Sequence, residues 1–204
     1  MVIGLTGGIG AGKSAVMEYL QEKGCYTILA DDVARKLQEK GGVIYNEMLE
    51  VFGTDILGED GQLDRNSVAS VVFSDEKRLS QLNAIVHPAV REKILSLIAE
   101  NKDKYPHIVI EAALLIEEHY EDVVDELWYV DAADEIRIKR LMENRGYTRE
   151  KCLSIMSRQL SREEYVRHCK VVLDNSATLD EVRAQVDHAL IETKQEGETD
   201  ASNL

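Results

Sequence analysis

Val2-Ile3-Gly4-Leu5-Thr6 runs straight into Gly7-Gly8-Ile9-Gly10-Ala11-Gly12-Lys13-Ser14, and that join decides the fold. The first five residues form a short continuous apolar run, as a strand buried on both faces of a parallel sheet does. The next eight match G-x-x-x-x-G-K-[ST]. Glycines at that spacing let successive backbone N–H groups turn inward toward phosphate oxygens, and the following helix adds its positive N-terminal end. Ala15, Val16, Met17 and Leu20 supply the apolar face of that helix. In such a loop Lys13 neutralises the outer phosphates and the Ser14 hydroxyl ligates Mg²⁺. Pattern, position and flanks favour a nucleoside triphosphate site over a glycine-rich turn that binds nothing.

Apolar runs recur at residues 25–30, 108–110, 127–130 and 171–173, separated by helical patterns at 14–22, 134–144 and 178–194. Strands alternating with helices predict an α/β fold with a five-stranded parallel sheet covered on both faces. Two insertions interrupt it. Between the second and third runs, residues 33–52, 65–73 and 76–101 look helical, with Asp60-Gly61 as a turn, and predict a helical sub-domain. Residues 137–170 form the second, carrying a net +6 in a chain whose 38 acidic and 24 basic residues give −14. There Gly146 breaks a helix, Thr148 caps the next, and Ser161-Arg-Glu-Glu164 is a capping box. Thr178-Leu-Asp-Glu181 repeats that box before the last helix.

The chain has 204 residues, 44% of them hydrophobic, enough for a real core. Its acidity argues against broad binding to nucleic acid or anionic membranes, and no apolar run approaches a membrane span. Cys25, Cys152 and Cys169 lie far apart with no CxxC, which suits buried thiols in a reducing cytoplasm. Trp128 sits in an apolar run and is expected in the core.

Asp55-Ile-Leu-Gly58 and Asn101-Lys-Asp-Lys104 imitate GTPase motifs in the wrong places, which leaves a small kinase whose mobile insertions exclude water. Such a kinase needs an acid beside the acceptor hydroxyl. Asp31 follows the second strand, at the sheet edge where open α/β folds bind ligands. On position alone it is as readily a cap for a helix beginning at Val33; Asp32 suits first-turn dipole compensation. Arginines of the basic insertion could stabilise the phosphoryl group, with Arg140 and Arg145 nearest the sheet. Glu111 and Asp131 each end an apolar strand and compete as the metal-side acid; Glu111 is favoured.

With these residues in hand, the sequence resembles the dephospho-coenzyme A kinase family nearly end to end. The matches are Ile3 through Ser14, Leu29-Ala-Asp-Asp-Val-Ala-Arg35, Phe52-Gly53, Asp60-Gly-Gln-Leu-Asp-Arg65, Val86-His-Pro88, Ala113-Leu-Leu-Ile-Glu117, Arg140, Arg145, Gln159 and Asp174-Asn175. The resemblance implies a P-loop NTPase fold of three layers, αβα. A nucleotide core would comprise 1–31, 102–136 and 171–194, with an acceptor domain at 32–101, a lid at 137–170 and a disordered tail at 195–204. It implies transfer of the γ-phosphoryl of ATP, with Mg²⁺, to the ribose 3′-hydroxyl of dephospho-CoA. Apart from the resemblance, a cytoplasmic monomer is expected. Asp31 would be the base, aided by Lys13 and Arg140. Gly7, Gly8, Gly10, Ala11, Gly12, Lys13, Ser14, Ala15, Arg140 and Asn175 would hold ATP, Ser14 and Glu111 the metal, and Arg65 and His87 the acceptor. Leu29, Glu111, Ala15, Ala113 and Cys169-Lys170 depart from the family pattern. The rivals are a nucleoside or nucleotide kinase with another acceptor and a regulatory nucleotide-binding protein.

Overall fold

The computed structural model describes residues 1–72 and 75–201. In chain order the elements are β1 (Val2–Thr6), α1 (Lys13–Glu22), β2 (Tyr26–Leu29), α2 (Ala30–Gln38), α3 (Tyr45–Phe52), α4 (Arg65–Val72) and α5 (Glu76–Asn101). Then follow β3 (Ile108–Glu111), β4 (Glu126–Asp131), α6 (Asp134–Arg145), α7 (Arg149–Met156), α8 (Arg162–His168), β5 (Val171–Asp174) and α9 (Leu179–Ala201). The five strands form one sheet in the order β2-β3-β1-β4-β5. β1 runs parallel to both β3 and β4, with Leu5 opposite Glu111 on one side and Trp128 on the other. The chain therefore reverses its winding direction at β1, and the crevice beyond such a strand's carboxyl end is where doubly wound sheets bind ligands.

The chain divides into two compact units, Met1–Thr27 with everything from Lys102 onward, and Ile28–Asn101. The expected boundary after Asp31 thus moves to Ile28, and Asp31 belongs to the helical unit.

In the first unit, Ile3 and Leu5 of β1 pack with Trp128 and Val130 of β4 against Val16 and Leu20 of α1 and Val182 and Val186 of α9. Trp128 is fully buried, as expected for a core residue, and its indole N–H donates to the buried Glu126 at 3.0 Å. Side chains alternate across a strand, so Tyr129 faces the other layer, where its ring stacks on Tyr165 of α8 at 4.6 Å. All three cysteines are buried and none is in a disulfide, and burial pushes the Cys169 thiol up to about 12.

The caps behave as their chemistry requires. Thr148 accepts from the Lys151 amide, Ser161 and Glu164 form a reciprocal box, and Thr178 and Glu181 do the same ahead of α9. The last helix continues past the expected end at Lys194 to Ala201, so residues 195–201 carry helical backbone where a disordered tail was expected. Helix-forming Glu and Gln beside Gly197 continue the pattern. Residues 202–204 lie outside the described residues, as does Phe73.

In the second unit, the helix expected over 33–52 is two helices. Gly41-Gly42 lies between them: α2 ends at Gln38, where Glu39 takes extended backbone, and Gly41 stands at φ 86°, a left-handed conformation that glycine adopts without strain. The His87-Pro88 step, which also reads as a turn, instead lies inside α5. Proline leaves the carbonyl four residues back without its donor. Here that residue is Ala84, which is exposed, so water can serve the carbonyl.

Candidate active site

The loop between β1 and α1 needs its glycines. Gly12 stands at φ 95° as the residue preceding α1, and a Cβ there would collide with the Asn175 amide. Lys13 and Ser14 follow as the first residues of α1, whose opening N–H groups have no intrahelical acceptors. The Ala15 amide donates to the Gly12 carbonyl at 3.1 Å, and Ser14 is exposed. Lys13 Nζ donates to the Gly7 carbonyl at 2.9 Å and lies 3.5 Å from Glu111 at the end of β3. Both side chains are largely buried, 14% and 18% exposed, where a charge pair is screened less than at the surface.

Asp131, at the end of β4, is occupied differently. One carboxylate oxygen accepts from the Tyr129 hydroxyl at 3.0 Å and the other from Arg162 Nε at 2.6 Å. Burial, with Asp131 alongside, pushes the Tyr129 phenol well above its ordinary range, and Asp131 holds Arg162 more firmly protonated. Of the two strand-end acids, Glu111 is the one beside Lys13.

Arg140 and Asn175 meet at the loop. Asn175 Nδ2 donates to the Ala11 carbonyl at 2.8 Å, Arg140 Nη1 to the same oxygen at 3.2 Å, and Arg140 Nη2 to the Asn175 carbonyl at 2.9 Å. The Asn175 amide itself donates to the Asp131 carbonyl, tying the ends of β4 and β5 together. Arg145 is exposed at the end of α6. Sequence reasoning did not single out Arg137, which donates to the Ile9 carbonyl and to Gln159. Its signal was the three-residue spacing to Arg140, which puts both on one face of α6.

In the helical unit, Asp31 is exposed in the first turn of α2. It does not cap that helix: the cap position is Leu29, with no side-chain hydrogen bond, so the capping interpretation fails. Asp32 pairs with Arg35 one turn on. Asp31 and Arg65 line one cavity of about 1100 Å³ together with Arg35, Gln38, Lys40 and Asp64. Asp64 caps α4, accepting from the Ser67 amide and hydroxyl at 2.7 Å each; those bonds hold its carboxyl below the usual value. That cap, after the turn at Gly61, brings Arg65 to the start of α4. His87 is half-buried on α5 and is not among the cavity's lining residues.

A profile of the dephospho-CoA kinase family matches residues 1–181. The chain belongs to that family. The dephospho-CoA kinase of Carboxydothermus hydrogenoformans is 39% identical over 186 residues, covering 91% of this chain and 90% of its own. A crystal structure from Thermus thermophilus superposes with a TM-score of 0.82 at 32% identity, over 94% of this chain and 97% of that one. Dephospho-CoA kinase from Campylobacter jejuni superposes at 0.71 with 22% identity, covering 96% and 98%, and shows the shared fold. Dephospho-CoA kinases are transferases that catalyse the last step of coenzyme A biosynthesis, with ATP as a substrate. No helix among the described residues is long and apolar enough to cross a membrane.

Proposed function

We propose that this chain transfers the γ-phosphoryl group of ATP to the ribose 3′-hydroxyl of dephospho-CoA, releasing ADP and coenzyme A. The observation that carries it is the pairing of Lys13, in a glycine loop at the carboxyl end of the central strand, with Glu111 on the neighbouring strand. Loop amides and Lys13 hold the β- and γ-phosphates, with Gly7, Gly8, Gly10, Ala11, Gly12, Ser14 and Ala15 shaping the cradle. Arg140 and Asn175 fix its far side.

Ser14 and Glu111 offer the hard oxygen donors that suit Mg²⁺. Magnesium is usually held by one or two protein oxygens together with phosphates and water, and this pair would supply two. When bound, that ion supplies charge neutralisation between the outer phosphates.

Asp31 accepts the hydroxyl proton as the new O–P bond forms and the bond from the γ-phosphorus to the bridging oxygen breaks. Asp31 is exposed and lines that cavity, which gives its carboxylate access to an acceptor hydroxyl. Arg65 and His87 contact the acceptor, Arg65 with the stronger structural support. Residues 137–170 act as the lid over ATP, residues 28–101 as the acceptor domain, and the protein works as a cytoplasmic monomer on these two small molecules.

The test is ADP release measured with dephospho-CoA, then with nucleosides and nucleoside monophosphates, and the product's phosphate mapped by NMR. Turnover with dephospho-CoA and a 3′-phosphate product is expected. Turnover with a nucleoside alone would contradict the assignment.

A further inference from the structure

We infer that Arg137 and Gln159 are positioning residues that latch the Ile9 peptide and thereby aim the loop's amides at the nucleotide phosphates. The inference rests on the nucleotide site proposed above. Both polar groups of Ile9 are taken by side chains distant in sequence. Its N–H donates to Gln159 Oε1 at 3.0 Å, and its carbonyl accepts from Arg137 Nε at 3.0 Å. Arg137 Nη2 donates to the same Gln159 oxygen at 3.0 Å, which closes a triangle of three bonds. Arg137 is only 12% exposed, and its remaining nitrogen donates to Asp134 at 3.2 Å. A Cβ at Gly8 would collide with this guanidinium, so the bare backbone there is part of the fit.

The consequence follows from peptide geometry. In a trans peptide the carbonyl of one residue and the N–H of the next point in opposite directions, and the chain has no cis peptide among its described residues. Arg137 drawing the Ile9 carbonyl to one side therefore turns the Gly10 N–H to the other. Arg140 and Asn175 do the same one step on, since their grip on the Ala11 carbonyl turns the Gly12 N–H. Glycines have little conformational preference of their own, so the loop's order must come from such outside contacts. A loop ordered beforehand loses less entropy when the triphosphate binds.

The experiment titrates the full-length protein with Mg²⁺ and the non-hydrolysable analogue AMPPNP by calorimetry, alongside steady-state kinetics and melting curves. Arg137→Met and Gln159→Met are expected to raise the AMPPNP Kd about tenfold, the scale of losing charge-assisted hydrogen bonds. The KM for ATP rises with it, while the KM for dephospho-CoA stays put. Gln159→Glu keeps the acceptor oxygen and recovers most of the lost affinity, and the Gln159 pair decides the matter if Arg137→Met does not fold. An unchanged Kd in the Met variants, even with a lower melting temperature, would overturn the latch, as would a Glu variant as weak as the Met one. A parent protein that does not bind AMPPNP would overturn the nucleotide site itself and the latch with it.

Discussion

The ends of β3 and β4 flank the same central strand and both carry a carboxylate, yet their surroundings differ in kind. Glu111 lies against Lys13, the residue that faces phosphate in loops of this type. Asp131 has one oxygen on the Tyr129 hydroxyl and the other on Arg162, so it joins the sheet to α8. Position in the sheet makes the two acids equivalent. Their partners separate them: Glu111 sits beside the loop lysine, and Asp131 ties the end of β4 to the start of α8.

Exchanging each acid for its amide sharpens that contrast. Glu111→Gln is expected to lower kcat by about 10²-fold, in the range of losing one preorganised electrostatic contact, and to raise the Mg²⁺ requirement. Asp131→Asn should cost about 1 kcal/mol in stability and less than tenfold in kcat, because the amide oxygen still accepts from Tyr129 and Arg162 is largely exposed. Denaturant melts with kinetics on both variants check the pair, and equal losses of activity would break the distinction. A smaller effect is expected one step further out. Ser161 caps the helix that carries Arg162 and Tyr165, so Ser161→Ala should cost about 0.5–1 kcal/mol in the same melts and leave the Mg²⁺ requirement unchanged. A shifted requirement would mean that α8 does more than brace Asp131.

Much of this was legible from sequence because it is local. The loop from Gly7 to Ser14 declares itself by spacing, α5 by its continuous helical pattern, and the Ser161 and Thr178 boxes by residue type at fixed offsets. What stayed hidden depends on contacts across the chain. Nothing near Asp131 in sequence announces Arg162, 31 positions on, and nothing near Arg137 announces Ile9, 128 positions back. Local competition accounts for the remaining differences. Gly41-Gly42 interrupts an otherwise helical stretch, and Pro88 is absorbed within a helix because the carbonyl it strands is exposed. Asp31 looked as much like a cap as a base until the backbone put the cap position at Leu29.

Asp31 also supplies the most direct test. The γ-phosphoryl transfer rate to dephospho-CoA should be measured in single turnovers for the parent and Asp31→Asn, with the nucleotide Kd determined in parallel. The variant is expected to bind nucleotide as the parent does and to transfer the phosphoryl group on the order of 10²–10⁴ times more slowly, the span of general acid–base help. An undiminished transfer rate in Asp31→Asn would contradict the assignment of that carboxylate as the proton acceptor.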